Sequence, residues 1–175
     1  MRFVFPHGPT RPVTINGGYV MRAWYDILGT DLARREDEAG LRESQALVEE
    51  LIAAETARGI KSSRIVLAGF SQGCAMTFMA GLRHKERLGG LLGMSGYLPL
   101  ADKTAAERST ANADVPIFQA HGSADPVIAI SRAVASRDAL RALGYTVDWH
   151  EYPMQHSVCA AEIAEMNRWL LKVLG

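Results

Sequence analysis

Five residues, Gly69-Phe70-Ser71-Gln72-Gly73, join the apolar run Ile65-Val66-Leu67-Ala68 to the helix-compatible stretch Cys74-Ala75-Met76-Thr77-Phe78-Met79-Ala80. A short β-type run, a Gly-x-Ser-x-Gly turn and then a helix commit the chain to a sharp strand-to-helix elbow. In such a turn the residues two before and two after the serine crowd each other, and glycine at both positions relieves the crowding. The serine backbone is held in a sparsely populated conformation, at a cost of roughly 1–3 kcal/mol. Its hydroxyl then stands at the carboxyl end of a strand, with a helix N-terminus behind it. Three fixed residues also occur by chance in ordinary turns, so the reading depends on the rest of the chain.

The remainder alternates strand and helix, the pattern of a parallel sheet with helices on its faces. Phe3-Val4-Phe5 reads as a short strand ended by Pro6. Residues 7–23 are rich in Pro, Gly, Thr and Asn and read as a long loop, with Trp24-Tyr25-Asp26 at its far end. A helix is predicted over residues 36–58 from the recurrence of Leu41, Val48, Leu51, Ile52 and Glu55, with Gly59 as its C-cap. The elbow strand spans 64–68, its helix continues to about residue 84, and a further strand spans 88–94. Residues 101–114, polar and alanine-rich, read as a surface excursion. A strand over 115–120, a helix over 126–143 and a strand over 146–152 follow, the last with Val147, Trp149 and Glu151 on one face. The final helix, 158–174, carries Ile163, Met166, Trp169, Leu170 and Val173 as its inward stripe. With no linker or internal repeat in 175 residues, a single domain over 1–175 is expected.

Composition narrows the partners. Lys plus Arg (19) equals Asp plus Glu (19), the net charge is zero, and no basic patch with interleaved aromatics occurs. These are the wrong electrostatics for a nucleic-acid binder and point to a small or uncharged ligand. Cys74 and Cys159 do not make a disulfide framework and read as small buried hydrophobes. No apolar run approaches the ~20 residues of a membrane span, and no leader pattern is visible, so a cytoplasmic location is expected. There is no His-Glu-x-x-His, Cys-x-x-Cys, Walker loop or Gly-x-Gly-x-x-Gly, and neither a metal nor a cofactor is expected.

A serine hydroxyl needs an adjacent base to act as a nucleophile, and the base needs an orienting acid. In doubly wound sheets such groups collect beyond the carboxyl ends of the strands. Asp125 lies in the loop after the 115–120 strand, and His156 in the loop after the 146–152 strand. The chain order Ser71, Asp125, His156 is the one expected after a Gly-x-Ser-x-Gly elbow. His121 is the rival base, but it leaves no second acid in the right place. The rival acids Asp114 and Asp148 precede or lie within strands rather than ending them.

These residues resemble the carboxylesterase, lysophospholipase and acyl-protein thioesterase family of the α/β-hydrolase fold. The likeness runs through Pro9-Thr10-Arg11-Pro12-Val13-Thr14 with Asn16-Gly17-Gly18, Trp24-Tyr25-Asp26, the elbow, Ser95-Gly96-Tyr97-Leu98-Pro99, His121-Gly122-x-x-Asp125-Pro126-Val127 and Tyr152-Pro153-Met154-x-His156. It implies a serine hydrolase acting on carboxylic esters, of short to medium acyl chains, or on thioesters or lysophospholipids. The triad would be Ser71, Asp125 and His156, with the backbone N–H of Gln72 as one oxyanion donor, and with Trp24, Tyr97 and Leu98 near the acyl site. The chain departs from the family pattern at Cys74 and Gln155, where glycine is usual. It also shows no counterpart of the strand and His-Gly-Leu-Gly type loop that precede the Phe3–Phe5 strand in the family, so the fold is expected to be N-terminally truncated. The alternative to an active esterase is a remnant with an incomplete oxyanion hole. A missing strand would leave β-edges open, and self-association through them is the corresponding expectation.

Overall fold

The computed structural model describes residues 1–29 and 36–175. Its elements are a hairpin of β1 (Thr10–Val13) and β2 (Tyr19–Arg22), then α1 (Glu38–Ala57), β3 (Val66–Phe70), α2 (Gln72–Gly81), β4 (Gly90–Met94), α3 (Ala101–Glu107), β5 (Ile117–Gly122), α4 (Ile130–Ala142), β6 (Val147–Tyr152) and α5 (Ala160–Leu174). Among the described residues the main sheet has the order β3-β4-β5-β6, every neighbouring pair parallel. Runs such as Gly-Leu-Leu-Gly-Met in β4 and Ile-Phe-Gln-Ala-His-Gly in β5 lack polar alternation because both faces are covered.

Register sorts the core into two layers. Leu91, Ile117 and Val147 lie side by side across β4, β5 and β6 and join Phe78 and Leu82 of the α2 side and Leu140 of α4. One residue further, Leu92 and Phe118 point to the opposite face and pack with Trp169 of α5. Each such side chain stabilises the fold by about 1.5–3 kcal/mol on burial. Every residue of α2 from Cys74 to Gly81 is buried, as befits a helix that is apolar all round. It lies between the sheet and α1, whose Leu41 clusters with Met76 and Met79. The Asp37 carboxylate caps α1 by accepting from the Gly40 amide at 3.0 Å. Arg58 closes its other end, and Gly59 follows in the left-handed region at φ 91°.

Three expectations are corrected. Phe3-Val4-Phe5 forms no strand, because nothing pairs with it among the described residues, and the three side chains are 65%, 46% and 85% exposed. Residues 7–23 are not one loop: they hold the β1–β2 hairpin, whose turn passes through Gly17 and Gly18 at positive φ. The 101–114 stretch is the expected surface excursion, and Thr104 and Asn112 are its buried anchors. The fully buried Asn112 accepts from the Leu88 amide at 2.9 Å and donates to the carbonyls of His84 and Glu86, both at 2.8 Å. On α5 the inward face begins one residue earlier than expected, with Glu162 fully buried and Ile163 57% exposed. Cys74 is buried, whereas Cys159 is half-buried and caps α5. Among the described residues no helix is long and apolar enough to cross a membrane.

Candidate active site

Ser71 occupies the turn between β3 and α2 at φ 55° and ψ −117°, a conformation that L-residues rarely adopt. Its amide donates to the Met94 carbonyl at 2.9 Å and its carbonyl accepts from the Ala75 amide at 3.3 Å, so the strained turn is fixed from both sides. The crowding at the elbow is one-sided. A Cβ on Gly69 would fall 2.1 Å from the carbonyl carbon and oxygen of Gly73, whereas one on Gly73 would meet nothing within 4 Å. Only the first glycine is demanded by sterics.

Gln72 opens α2, so its amide is among the N–H groups that a helix leaves without an internal acceptor. Its side chain has a separate task. Oε1 accepts from the Trp24 amide at 2.9 Å and Nε2 donates to the Tyr25 carbonyl at 3.0 Å. Both groups of that carboxamide therefore hold the Trp24–Tyr25 segment against the elbow, and the Ser44 hydroxyl donates to the Trp24 carbonyl from α1. Sequence reasoning missed this tether, since its partners lie 47 and 48 positions away.

Asp125, just past β5, accepts from His156 Nδ1 at 2.7 Å through Oδ2, and from the amides of Val127 and Ile128 at 2.8 and 2.9 Å through Oδ1. Burial opposes its charge, but the bonds from His156 and from those amides outweigh it and hold the carboxyl below its ordinary range. The His156 ring lies 4.7 Å from the ring of Phe70, the residue before Ser71. In a flat sheet β3 and β6 would stand three strand spacings apart, about 14 Å. The loop after β6 must therefore fold back across the end of β5, and Gly122 allows it. A Cβ there would lie 2.4 Å from the carbonyl oxygens of both Met154 and Gln155.

His121, the rival base, is fully buried behind Asp125. Its Nε2 donates to the Ile128 carbonyl at 2.8 Å and lies 3.4 Å from Asp125 Oδ2. Asp148 is on the exposed side of β6, beside His150 at 3.0 Å. Tyr97 and Leu98 follow β4 and are almost wholly buried. The Tyr97 hydroxyl is hydrogen-bonded with that of Tyr25, burial pushes both phenols up, and the Arg132 guanidinium sits 3.6 Å from the Tyr97 ring centre. The Leu98 amide donates to Ser136 Oγ at 2.8 Å, and its side chain borders a cavity of about 590 Å³ with Glu36, Arg132 and Ser136. Trp24 instead borders a groove of about 740 Å³ along β3. Among the described residues no cluster of His, Cys, Asp or Glu could hold a metal ion.

A parallel sheet with helices on both faces, a strained serine on a strand-to-helix elbow, and an acid and a histidine on the two last strand ends define an α/β hydrolase. The sequence profile of the phospholipase/carboxylesterase family matches residues 1–174, and the chain belongs to that family. Acyl-protein thioesterase 1 of Yarrowia lipolytica is 40% identical over 174 residues, an alignment covering 97% of this chain and 77% of that protein. Its counterpart in Neurospora crassa is 42% identical, with 99% and 74% covered. Among solved structures, Arabidopsis thaliana SOBER1 superposes with a TM-score of 0.93 at 28% identity, covering 98% of this chain and 83% of that one. Zea mays acyl-protein thioesterase 2 gives 0.84 at 28% identity, with 97% and 80% covered.

Proposed function

We propose that this hydrolase cleaves carboxylic esters or thioesters through an acyl-serine intermediate. The observation that carries the reading is the 2.7 Å bond between Asp125 Oδ2 and His156 Nδ1, on an imidazole packed beside the elbow. That bond leaves Nε2 of His156 as the basic nitrogen. Nε2 takes the Ser71 proton as Oγ attacks the acyl carbon, then returns it to the leaving alkoxide or thiolate. Water, deprotonated by the same nitrogen, releases the acid. Asp125 holds the tautomer and offsets the imidazolium charge, and the Gln72 amide donates to the developing oxyanion. Trp24, fixed by Gln72, forms a wall for the acyl group, while Tyr97 and Leu98 support the site from within the core. On this reading the acyl chains are of short to medium length. The thioesterase names of the fungal relatives support thioesters, and the family description, phospholipase/carboxylesterase, supports esters; lysophospholipids are further candidates of the same ester class. The scheme uses no cofactor or metal, the neutral charge balance disfavours a nucleic-acid partner, and a cytoplasmic setting suits two unpaired cysteines.

The second reading, a weakly active or inactive remnant, is favoured by one observation: the outer edge of β3, where a second oxyanion donor would be expected, has no neighbouring strand among the described residues. Losing one such donor costs about 10²–10³ in rate. Fluorophosphonate labelling of Ser71, with turnover of short-chain nitrophenyl esters and thioesters, tests both readings. An active hydrolase labels rapidly and turns over, and Ser71→Ala abolishes both, by up to about 10⁶ in kcat. Retention of a tenth of parental turnover in Ser71→Ala would sink the covalent mechanism. Slow labelling without turnover identifies the remnant.

A further inference from the structure

The Asp125 carboxylate is enclosed, and its acceptor sites can be counted. Its side chain has no exposed surface, and an ionised carboxyl offers about four lone-pair sites. Oδ1 takes the amides of Val127 and Ile128, and Oδ2 takes His156 Nδ1. The fourth site, on Oδ2, is shut off from solvent. The group that faces it is His121, whose Nε2 lies 3.4 Å away.

The proton on that ring is located by its other partner. Nε2 is 2.8 Å from the Ile128 carbonyl, which can only accept, so Nε2 carries the hydrogen. This N–H therefore stands between two acceptors, the Ile128 carbonyl and Asp125 Oδ2, the arrangement of a three-centre bond. Ile128 is engaged twice: its amide donates to Oδ1, and its carbonyl accepts from His121. One side chain thus faces Oδ2 directly and also fixes the turn whose amides hold Oδ1.

Packing alone does not account for a histidine at this place. The residue is fully buried at the last position but one of β5, and its Nδ1 has no hydrogen-bond partner among the described residues. Burying an unpartnered nitrogen costs stability, and a leucine would fill the space without that cost. The ring is not placed as the base either. Its N–H is committed to Ile128 and its other nitrogen is enclosed, whereas His156 is partly exposed and packs beside Phe70.

We propose that His121 is a positioning residue for the triad acid. Its Nε2–H is a second donor to Asp125 Oδ2, beside His156 Nδ1, and it fixes the carboxylate in the orientation that holds His156 in its working tautomer. His121 touches no reacting atom and acts through Asp125. Its kinetic effect rests on the hydrolase reading; its hold on the carboxylate does not.

Two substitutions divide donor from volume. His121→Leu removes the N–H and keeps an apolar side chain in the space, while His121→Gln returns an N–H near the position of Nε2. With active sites titrated by fluorophosphonate, His121→Leu should lower kcat on a nitrophenyl ester about tenfold, with KM within about twofold. That is the low end for a hydrogen bond to a charged group, as befits a long one. His121→Gln should recover kcat to within about threefold of the parent. In an Asp125→Asn background His121→Leu should change kcat by less than about threefold, because the carboxylate it acts through is gone.

Proton NMR without substrate reads the far-downfield hydrogen of the His156–Asp125 bond. It should be present in the parent and in His121→Gln, and weakened or lost in His121→Leu. That same NMR pattern in a parent that turns nothing over would remove the hydrolase reading and leave the hold on Asp125 standing. Parental kcat and an unchanged resonance in His121→Leu overturn the proposal. So do losses that multiply in the double variant, or equal losses in His121→Leu and His121→Gln, which would make His121 a packing residue. If His121→Leu does not fold, the more adaptable His121→Met carries the same comparison.

Discussion

Gln72→Ala separates two tasks that meet in one residue. The backbone amide stays in place at the start of α2, while the two side-chain bonds to the Trp24 amide and the Tyr25 carbonyl disappear. Each bond contributes about 0.5–1.5 kcal/mol net, so the loss is about 1–3 kcal/mol. For a chain of this size that lowers the melting temperature by roughly 2–12 °C. The kinetic effect follows from geometry. Trp24 keeps only its carbonyl bond from Ser44 and loses its tie to the elbow, so the acyl wall loosens and KM rises. The serine, the Asp125–His156 pair and the Gln72 amide are untouched, so fluorophosphonate labelling of Ser71 keeps most of its rate. Thermal unfolding followed by circular dichroism, with steady-state kinetics on the same preparation, measures both. Melting within about 1 °C of the parent with unchanged KM would refute the tether. A loss of labelling equal to that of Ser71→Ala would show that the side chain acts on the chemistry itself.

Asp125→Asn should leave the fold intact and lower kcat by about 10⁴, because the amide favours the wrong imidazole tautomer, while Asp148→Asn is nearly silent; equal losses would mean the acid is misassigned. Gly69→Ala should destabilise by about 1–3 kcal/mol or more and displace the elbow, whereas Gly73→Ala should stay within about 1 kcal/mol of the parent; denaturant titration that ranks them the other way would contradict the one-sided crowding. Burial pushes the Glu162 carboxyl above its ordinary value, only partly offset by the Cys159 amide. A raised folded-state value means stability that is present below the unfolded value of about 4.3 and is lost as pH rises through the folded one, by about 1.4 kcal/mol per unit between them. Glu162→Gln removes that loss, so its melting temperature should gain on the parent from pH 4 towards pH 7; parallel curves would refute the assignment.

The parts of the site that could be read from sequence are those set by local pattern. Ser71, Asp125 and His156 each follow a strand, β3, β5 or β6, and although only β5 is buried throughout, each strand ends where the side chain must emerge at the sheet's carboxyl edge. What could not be read depends on partners distant in the chain. The carboxamide of Gln72 and that of Asn112 act on backbone groups more than 20 positions away, and composition carries no trace of them. Phe3-Val4-Phe5 has strand composition, but a strand exists only where an edge is offered to it. The β1–β2 hairpin was concealed by the reverse circumstance. All four residues of β2 are exposed, so its sequence lacks the alternation that marks a half-buried strand. On α5 the expected stripe holds at Met166, Trp169, Leu170 and Val173, and only its first position moves, from Ile163 to Glu162, because a carboxylate in a core position runs against every hydrophobic pattern.

The main sheet is built in the order of its strands, β3 to β6, each new strand laid beside the one before it. A chain emerging from the ribosome can therefore complete the elbow and seat Ser71 on β4 before the last strand has been made. His156 is 85 residues downstream of Ser71 (156 less 71), and the α5 helix that covers the reverse face of the sheet comes later still. On the proposed roles, the nucleophile is thus present and shaped before its base has been made. On the proposed mechanism, folding order itself acts as a safety catch: the serine gains reactivity only once the chain through residue 156 has been released and folded.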